Sequence, residues 1–130
     1  MSQPKILIVD DEYFFIETIK MRLETLGYDV IFADNGADGM EEALAQKPNL
    51  ILADMIMPDM GGLELITLLR TNETTRHIPI IALSALSEPQ NIREAIEAGA
   101  NDYIVKPFES AELINKITSL LTERRAWGKT

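Results

Sequence analysis

Asp10, Asp34, Asp54, Ser84 and Lys106 each directly follow a short apolar run, and Asp11 adds a second acid after the first of them. The runs are Ile6 to Val9, Val30 to Ala33, Leu50 to Ala53, Ile80 to Leu83 and Tyr103 to Val105. Brought to one edge, Asp10, Asp11, Asp54, Ser84 and Lys106 amount to three acids, a hydroxyl and an ammonium. That set has the parts for moving a phosphoryl group onto a carboxylate: Asp54 attacks phosphorus, and cationic and hydroxyl groups neutralise the phosphoryl oxygens. Three carboxylates packed together repel one another, and at least one pKa rises unless a cation offsets the charge. An all-oxygen site with room for water and phosphate suits Mg²⁺ better than Zn²⁺, with Mn²⁺ as the nearest alternative. Taken singly, each residue has a plainer role. Asp10 and Asp11 read equally well as acids at a helix start, Lys106 as a solvated lysine and Ser84 as an ordinary strand-end serine.

The elements that must position these groups follow from periodicity. Lys5 to Val9, Val30 to Ala33, Asn49 to Ala53, Pro79 to Leu83 and Asp102 to Val105 are rich in Ile, Val and Leu, too short for helices and almost continuously apolar. That is the pattern of parallel strands covered on both faces. Between them apolar residues recur at helical spacing: Phe15, Ile19, Leu23 and Leu26; Met40, Ala43 and Leu44; Leu65, Ile66 and Leu69; Ile92, Ala95 and Ile96; Leu113, Ile114, Ile117 and Leu121. Gly27, Pro48 and Gly99 stand just beyond helical stretches, and Gly36 and Gly61 just ahead of others. Five consecutive βα units predict an α/β fold, a parallel sheet with helices on both faces. In the doubly wound class, ligands bind beyond the carboxyl ends of the strands, where the connections diverge. The strand order 2-1-3-4-5 is taken from that class, since one sequence does not measure adjacency. It gathers Asp10, Asp11, Asp54, Ser84 and Lys106 and leaves Asp34 on the edge strand.

The 130 residues are enough for one domain, expected over 1–122 with a tail or linker start over 123–130. The net charge of -9 is uneven: residues 1–65 hold thirteen acids against four bases, and residues 66–130 hold eight of each. A blanket basic patch for direct nucleic-acid binding is absent. No apolar run approaches the ~18 residues that span a bilayer, and the first residues lack the pattern of a leader, so no membrane partner and a cytoplasmic location are expected. Zero cysteines remove disulfides, thiolate nucleophiles and cysteine-ligated zinc.

Four segments, in order and at matching spacing, resemble the receiver domain of two-component response regulators. They are Ile6-Leu7-Ile8-Val9-Asp10-Asp11-Glu12, Asp54-Met55-Ile56-Met57-Pro58-Asp59-Met60, Ala82-Leu83-Ser84-Ala85 and Tyr103-Ile104-Val105-Lys106-Pro107-Phe108. The likeness covers residues 5 to about 122. It departs at Gly61, where the family often has aspartate; a glycine there is acceptable as a helix cap. The resemblance implies a phosphorylation-activated signalling switch, not a metabolic enzyme. Asp54 is then the phosphoacceptor, fed by a sensor histidine kinase or a histidine phosphotransfer protein. Asp11, Asp54 and the backbone carbonyl of Ile56 become direct Mg²⁺ ligands, and Asp10 a ligand through water. Lys106 and Ser84 contact the phosphoryl oxygens, and the Lys106-Pro107 bond is implied to be cis. Ser84 moves towards the phosphoryl group and Tyr103 swings inward behind it. That alters the face of the fourth helix, fifth strand and fifth helix, which serves an output partner or a homodimer formed on phosphorylation. Read cautiously, Tyr103 is a half-buried aromatic at a strand start.

Ile56 and Leu86, two positions beyond Asp54 and Ser84, flank the path of the hydrolytic water in that family. Apolar groups there predict a long-lived phosphorylated state. Three other classes compete. An aspartyl-phosphate phosphatase of the haloacid dehalogenase kind needs an acid two residues after the nucleophile, where Ile56 stands. A flavin carrier needs a phosphate-binding loop after the first strand. A docking module that never takes phosphate would not need the complete set of Asp54, Ser84 and Lys106. His77 reads as a loop residue, Met55, Met57 and Met60 as core filler, and Arg124 and Arg125 as bases opposing a helix C-terminus. Trp127 remains open between packing, a linker start and a partner anchor.

Overall fold

The structure, a computed structural model, describes the backbone of residues 3–128 and the side chains of residues 3–123. Five βα units alternate without interruption: β1 (Lys5–Val9), α1 (Tyr13–Thr25), β2 (Asp29–Ala33), α2 (Gly36–Gln46), β3 (Leu50–Asp54), α3 (Gly62–Thr71), β4 (Ile80–Ser84), α4 (Pro89–Ala98), β5 (Asp102–Val105) and α5 (Ser110–Gly128). The sheet runs β2-β1-β3-β4-β5 with every pair parallel, as the doubly wound class predicts. β3 and β4 each continue one residue further than their apolar runs. Asp54 pairs with Leu83 and Ser84 with Val105, so both functional side chains sit on paired, rigid backbone.

Alternation along the strands divides the core in two. Leu7, Val9, Ile51 and Ala53 face one way and pack with Ala43 of α2, Leu65, Ile66 and Leu69 of α3 and Ala95 of α4. Ile6, Ile8, Leu50 and Leu52 face the other way, against Ile16, Ile19 and Leu23 of α1 and Leu113, Ile117 and Leu121 of α5. These are the two covered faces that make the strands read as continuous apolar runs. β1 hands the chain to β2 on one side and β3 to β4 on the other. The divergence therefore lies between β1 and β3, where Asp10 and Asp54 emerge.

The breaks in the chain have local causes. Asn35 caps α2, its side chain accepting from the Asp38 N–H at 2.8 Å, so Gly36 is the first helical residue and not a spacer ahead of it. Lys47 takes the left-handed conformation immediately before Pro48, which cannot continue the helix. Gly61 is the N-cap of α3, as its position predicts. α5 runs unbroken through Gly128, so the expected tail over 123–130 begins as helix. The side chains of Arg124, Arg125 and Trp127 lie outside the described residues. Ile96, expected in the apolar stripe of α4, is 44% exposed. α4 covers the β4–β5 edge of the sheet, and Ala95 is its one fully buried contact.

Arg70 ties the ends of α3, β4 and α4 together. Its Nε donates to the Gly99 carbonyl at 2.9 Å, Nη1 to those of Arg76 and Ile78 at 3.1 and 2.6 Å, and Nη2 to Asn101 Oδ1 at 2.9 Å. Gly99 ends α4 at φ +127°, and a Cβ there would stand 2.5 Å from Arg70 Cγ. Arg70→Met keeps the aliphatic stem and removes every donor. It is expected to lower stability by about 2–3 kcal/mol, read as a reduced urea midpoint with unchanged m.

Candidate functional site

At the carboxyl ends of β1, β3 and β5 the chain turns sharply, and Asp10, Asp54 and Lys106 point into one depression. Asp10 is fully buried. Its Oδ1 accepts the Glu12 N–H at 2.9 Å and its Oδ2 accepts from Lys106 Nζ at 2.8 Å. The same ammonium lies 3.1 Å from Glu12 Oε1 and 3.6 Å from Asp54 Oδ2. Asp54, 5% exposed, accepts the Ile56 N–H at 3.2 Å. Carboxylate oxygens of Asp10, Glu12 and Asp54 all fall within 4.8 Å of one another, a group able to hold a metal ion.

Electrostatics follow from this crowding. Burial pushes the Asp54 carboxyl up to about 6; the Ile56 N–H and the Lys106 charge pull it down, and the charge and hydrogen bond of Asp10 push it up again. Burial works against the charged form of Lys106, but Asp10, Asp54 and Glu12 together outweigh it and hold the ammonium above its ordinary range. One cation thus serves three acids, which leaves the depression short of positive charge.

Ser84 is fully buried at the end of β4, and its Oγ accepts the Leu86 N–H at 3.1 Å. That contact uses the oxygen as acceptor and leaves the O–H to donate elsewhere. Tyr103 is buried, with its hydroxyl donating to the Leu86 carbonyl at 2.7 Å. Its ring is already inward and latched to the loop that follows Ser84. The Lys106-Pro107 bond is cis.

Asp11 is the expected site residue that the structure leaves apart: its side chain is exposed and outside the group of three carboxylates. Glu12 stands in its place. The helix-capping alternative for Asp10 does not hold either. The N-cap of α1 is Glu12, no acid lies in the first turn, and Asp10 points into the fold. Asp34 is exposed beside Asn35, away from the site, as its edge strand predicts. Glu12 and Phe15 are the residues that sequence reasoning missed. Glu12 is the N-cap of α1, with extended backbone, and Phe15 lies in the first turn of the helix that follows.

The family of this geometry is shown by comparison. The family model for the response regulator receiver domain matches residues 6–118. The response regulator ArlR of Staphylococcus saprophyticus is 41% identical over 117 residues, covering 90% of this chain and 52% of that protein. The phosphate regulon transcriptional regulatory protein PhoB of Pseudomonas aeruginosa is 41% identical over 116 residues, covering 89% and 51%. A CheY-like response regulator receiver domain protein from Methanospirillum hungatei superposes with a TM-score of 0.90 at 31% identity, covering 96% of this chain and 98% of that one. The chain belongs to the receiver domain family of two-component response regulators. It spans about half the length of the curated relatives it matches. Among the described residues no helix is long and apolar enough to cross a membrane.

Proposed function

We propose that this receiver takes a phosphoryl group on Asp54 from a phosphohistidine of a sensor kinase or phosphotransfer protein, in the cytoplasm. The observation that carries this reading is the meeting of a nearly buried Asp54 with Lys106 and Asp10 at the sheet's point of divergence. One Asp54 oxygen attacks phosphorus, and the bond from phosphorus to the donor nitrogen breaks. The acyl phosphate carries about one more negative charge than the carboxylate it replaces. Lys106, held within reach of Asp54, meets one phosphoryl oxygen as a compact charge, and the Ser84 O–H donates to another.

The all-oxygen donor set and the deficit of positive charge fit Mg²⁺, or Mn²⁺ in its place. Asp54 and the Ile56 carbonyl would hold it, with Asp10 and Glu12 completing the acidic group; Asp11, expected as a direct ligand, stands exposed outside that group. When bound, the ion supplies the second positive charge that lets an acidic site accept an anion. The signal leaves through Ser84, the loop containing Leu86 and the latched Tyr103 to the face of α4, β5 and α5. There an output partner, or a second copy of the chain, reads it. Incubation with acetyl phosphate and Mg²⁺ tests the reading directly. The wild type should gain one phosphoryl group by mass, and omission of Mg²⁺ should abolish the gain.

Ile56 and Leu86, 53% and 39% exposed at the mouth of the site, carry a kinetic consequence. Neither side chain can orient a hydrolytic water, so the phosphorylated state should last on the order of minutes or more. Ile56→Asn should shorten it severalfold in a dephosphorylation time course at saturating Mg²⁺. Decay within seconds that Ile56→Asn leaves unchanged would discard the idea.

A further inference from the structure

Lys106 Nζ, the same ammonium that meets Asp10 and Glu12, lies over the face of the Phe15 ring, 4.3 Å from its centroid. Phe15 in turn meets Phe108 edge to face, with centroids 5.8 Å apart and planes at 85°. Together with Glu12, Ala85 and Lys106, these rings line an open cavity of about 460 Å³ beside the acids. We propose that Phe15 is a positioning residue for phosphoryl uptake: its ring face is the back wall that holds the Lys106 ammonium in reach of the group arriving on Asp54. The inference rests on the phosphoacceptor reading and assigns a role to a residue that periodicity marks only as core.

The argument begins with the lysine. A four-carbon stem gives the ammonium wide freedom, and only Asp10 grips it at short range without exposure to solvent. Glu12 is largely exposed, so its hold is screened. Asp54 is still 3.6 Å away. When Asp54 gains a phosphoryl group, the ammonium, 3.6 Å from Asp54 Oδ2, must re-aim at a phosphoryl oxygen, and a further fixed hydrogen bond would resist that movement. An aromatic face attracts the charge without such a direction, and it keeps water from that side of the ammonium. The edge contact with Phe108 fixes the plane of the ring. Leucine in the same place would fill space but offer no π face.

The test compares Phe15→Leu with Phe15→Tyr, using beryllofluoride as the phosphoryl mimic and Mg²⁺ alone as the control ligand. Phe15→Leu should weaken beryllofluoride binding about three- to tenfold. It should raise the KM for acetyl phosphate by a similar factor, while the affinity for Mg²⁺ alone stays within about twofold. Phe15→Tyr, which retains the π face, should restore both. If Phe15→Leu does not fold, Phe15→Met carries the same comparison. Equal behaviour of the leucine and tyrosine variants, or equal weakening of Mg²⁺ and beryllofluoride, would overturn the proposal while leaving the functional reading intact. Failure of the wild type to bind beryllofluoride at all would overturn the functional reading and the proposal with it.

Discussion

Asp54→Asn is expected to gain no phosphoryl group from acetyl phosphate and Mg²⁺, and to be more stable than the wild type at neutral pH. The first result follows from chemistry, because the amide has no free electron-rich oxygen of carboxylate character to attack phosphorus. The second follows from burial. The Asp54 carboxyl is raised from 3.8 to about 6, so the folded protein holds its proton where the unfolded chain has released it. A raised carboxylate pKa means the charged form opposes folding. Its cost is absent below pH ~4, grows as the pH rises towards 6 and then stays constant. Asparagine never incurs it. Thermal unfolding in EDTA should therefore show the two proteins nearly equal at pH 4 and the variant ahead at pH 7.5 by on the order of 1 kcal/mol, a few degrees in Tm. Adding Mg²⁺ should raise the wild type and leave the variant almost unmoved. A variant that still takes up the phosphoryl group, or that is less stable than wild type at pH 7.5, would contradict the assignment of Asp54.

The same burial explains which parts of the site could be read from the chain. Strands covered on both faces advertise themselves as continuous apolar runs, and the polar residue at each run's end marks where the apolar packing stops, although Asp10 and Ser84 are themselves fully buried. Asp10, Asp54, Ser84 and Lys106 were legible for that reason. Their adjacency was not, because periodicity records which way a side chain faces and not which strand lies alongside; the order β2-β1-β3-β4-β5 is a property of tertiary packing. Glu12 and Phe15 were hidden for a different reason. Phe15 sits in an apolar helical stripe, and its service to Lys106 depends on where the turn after β5 delivers that lysine. Asp11 shows the converse: a conspicuous acid whose side chain the start of α1 turns outward. Ile96 was expected in the core by spacing alone, but α4 overlies the sheet margin, where one buried alanine completes the contact.

Lys106→Met is expected to have the second large effect, and its two consequences separate the lysine's structural work from its chemical work. In the metal-free protein the Asp10 carboxylate, with no exposure to solvent, loses the partner that holds it at 2.8 Å. Removing one side of a buried ion pair leaves an uncompensated charge, and about 3 kcal/mol of stability should be lost at pH 7.5. Asp54 loses a group that pulls its pKa down, so its carboxyl should rise further above the usual range. The Asp54 part needs an ionised carboxylate, so that part of the deficit should shrink as the pH falls below about 6. Mg²⁺ at neutral pH should restore much of the lost stability, since a divalent ion can neutralise the same oxygens. It should not restore phosphoryl uptake if, as proposed, Lys106 meets a phosphoryl oxygen of its own. A positive group aimed at developing charge is worth about 100-fold in rate, and the variant should be slower by that order even at saturating Mg²⁺. Urea unfolding with and without Mg²⁺, set beside the rate of mass gain from acetyl phosphate, reads both. Uptake recovered by Mg²⁺ would reduce Lys106 to a counter-ion. Stability unchanged in EDTA would mean that the buried acids are held by something other than this lysine.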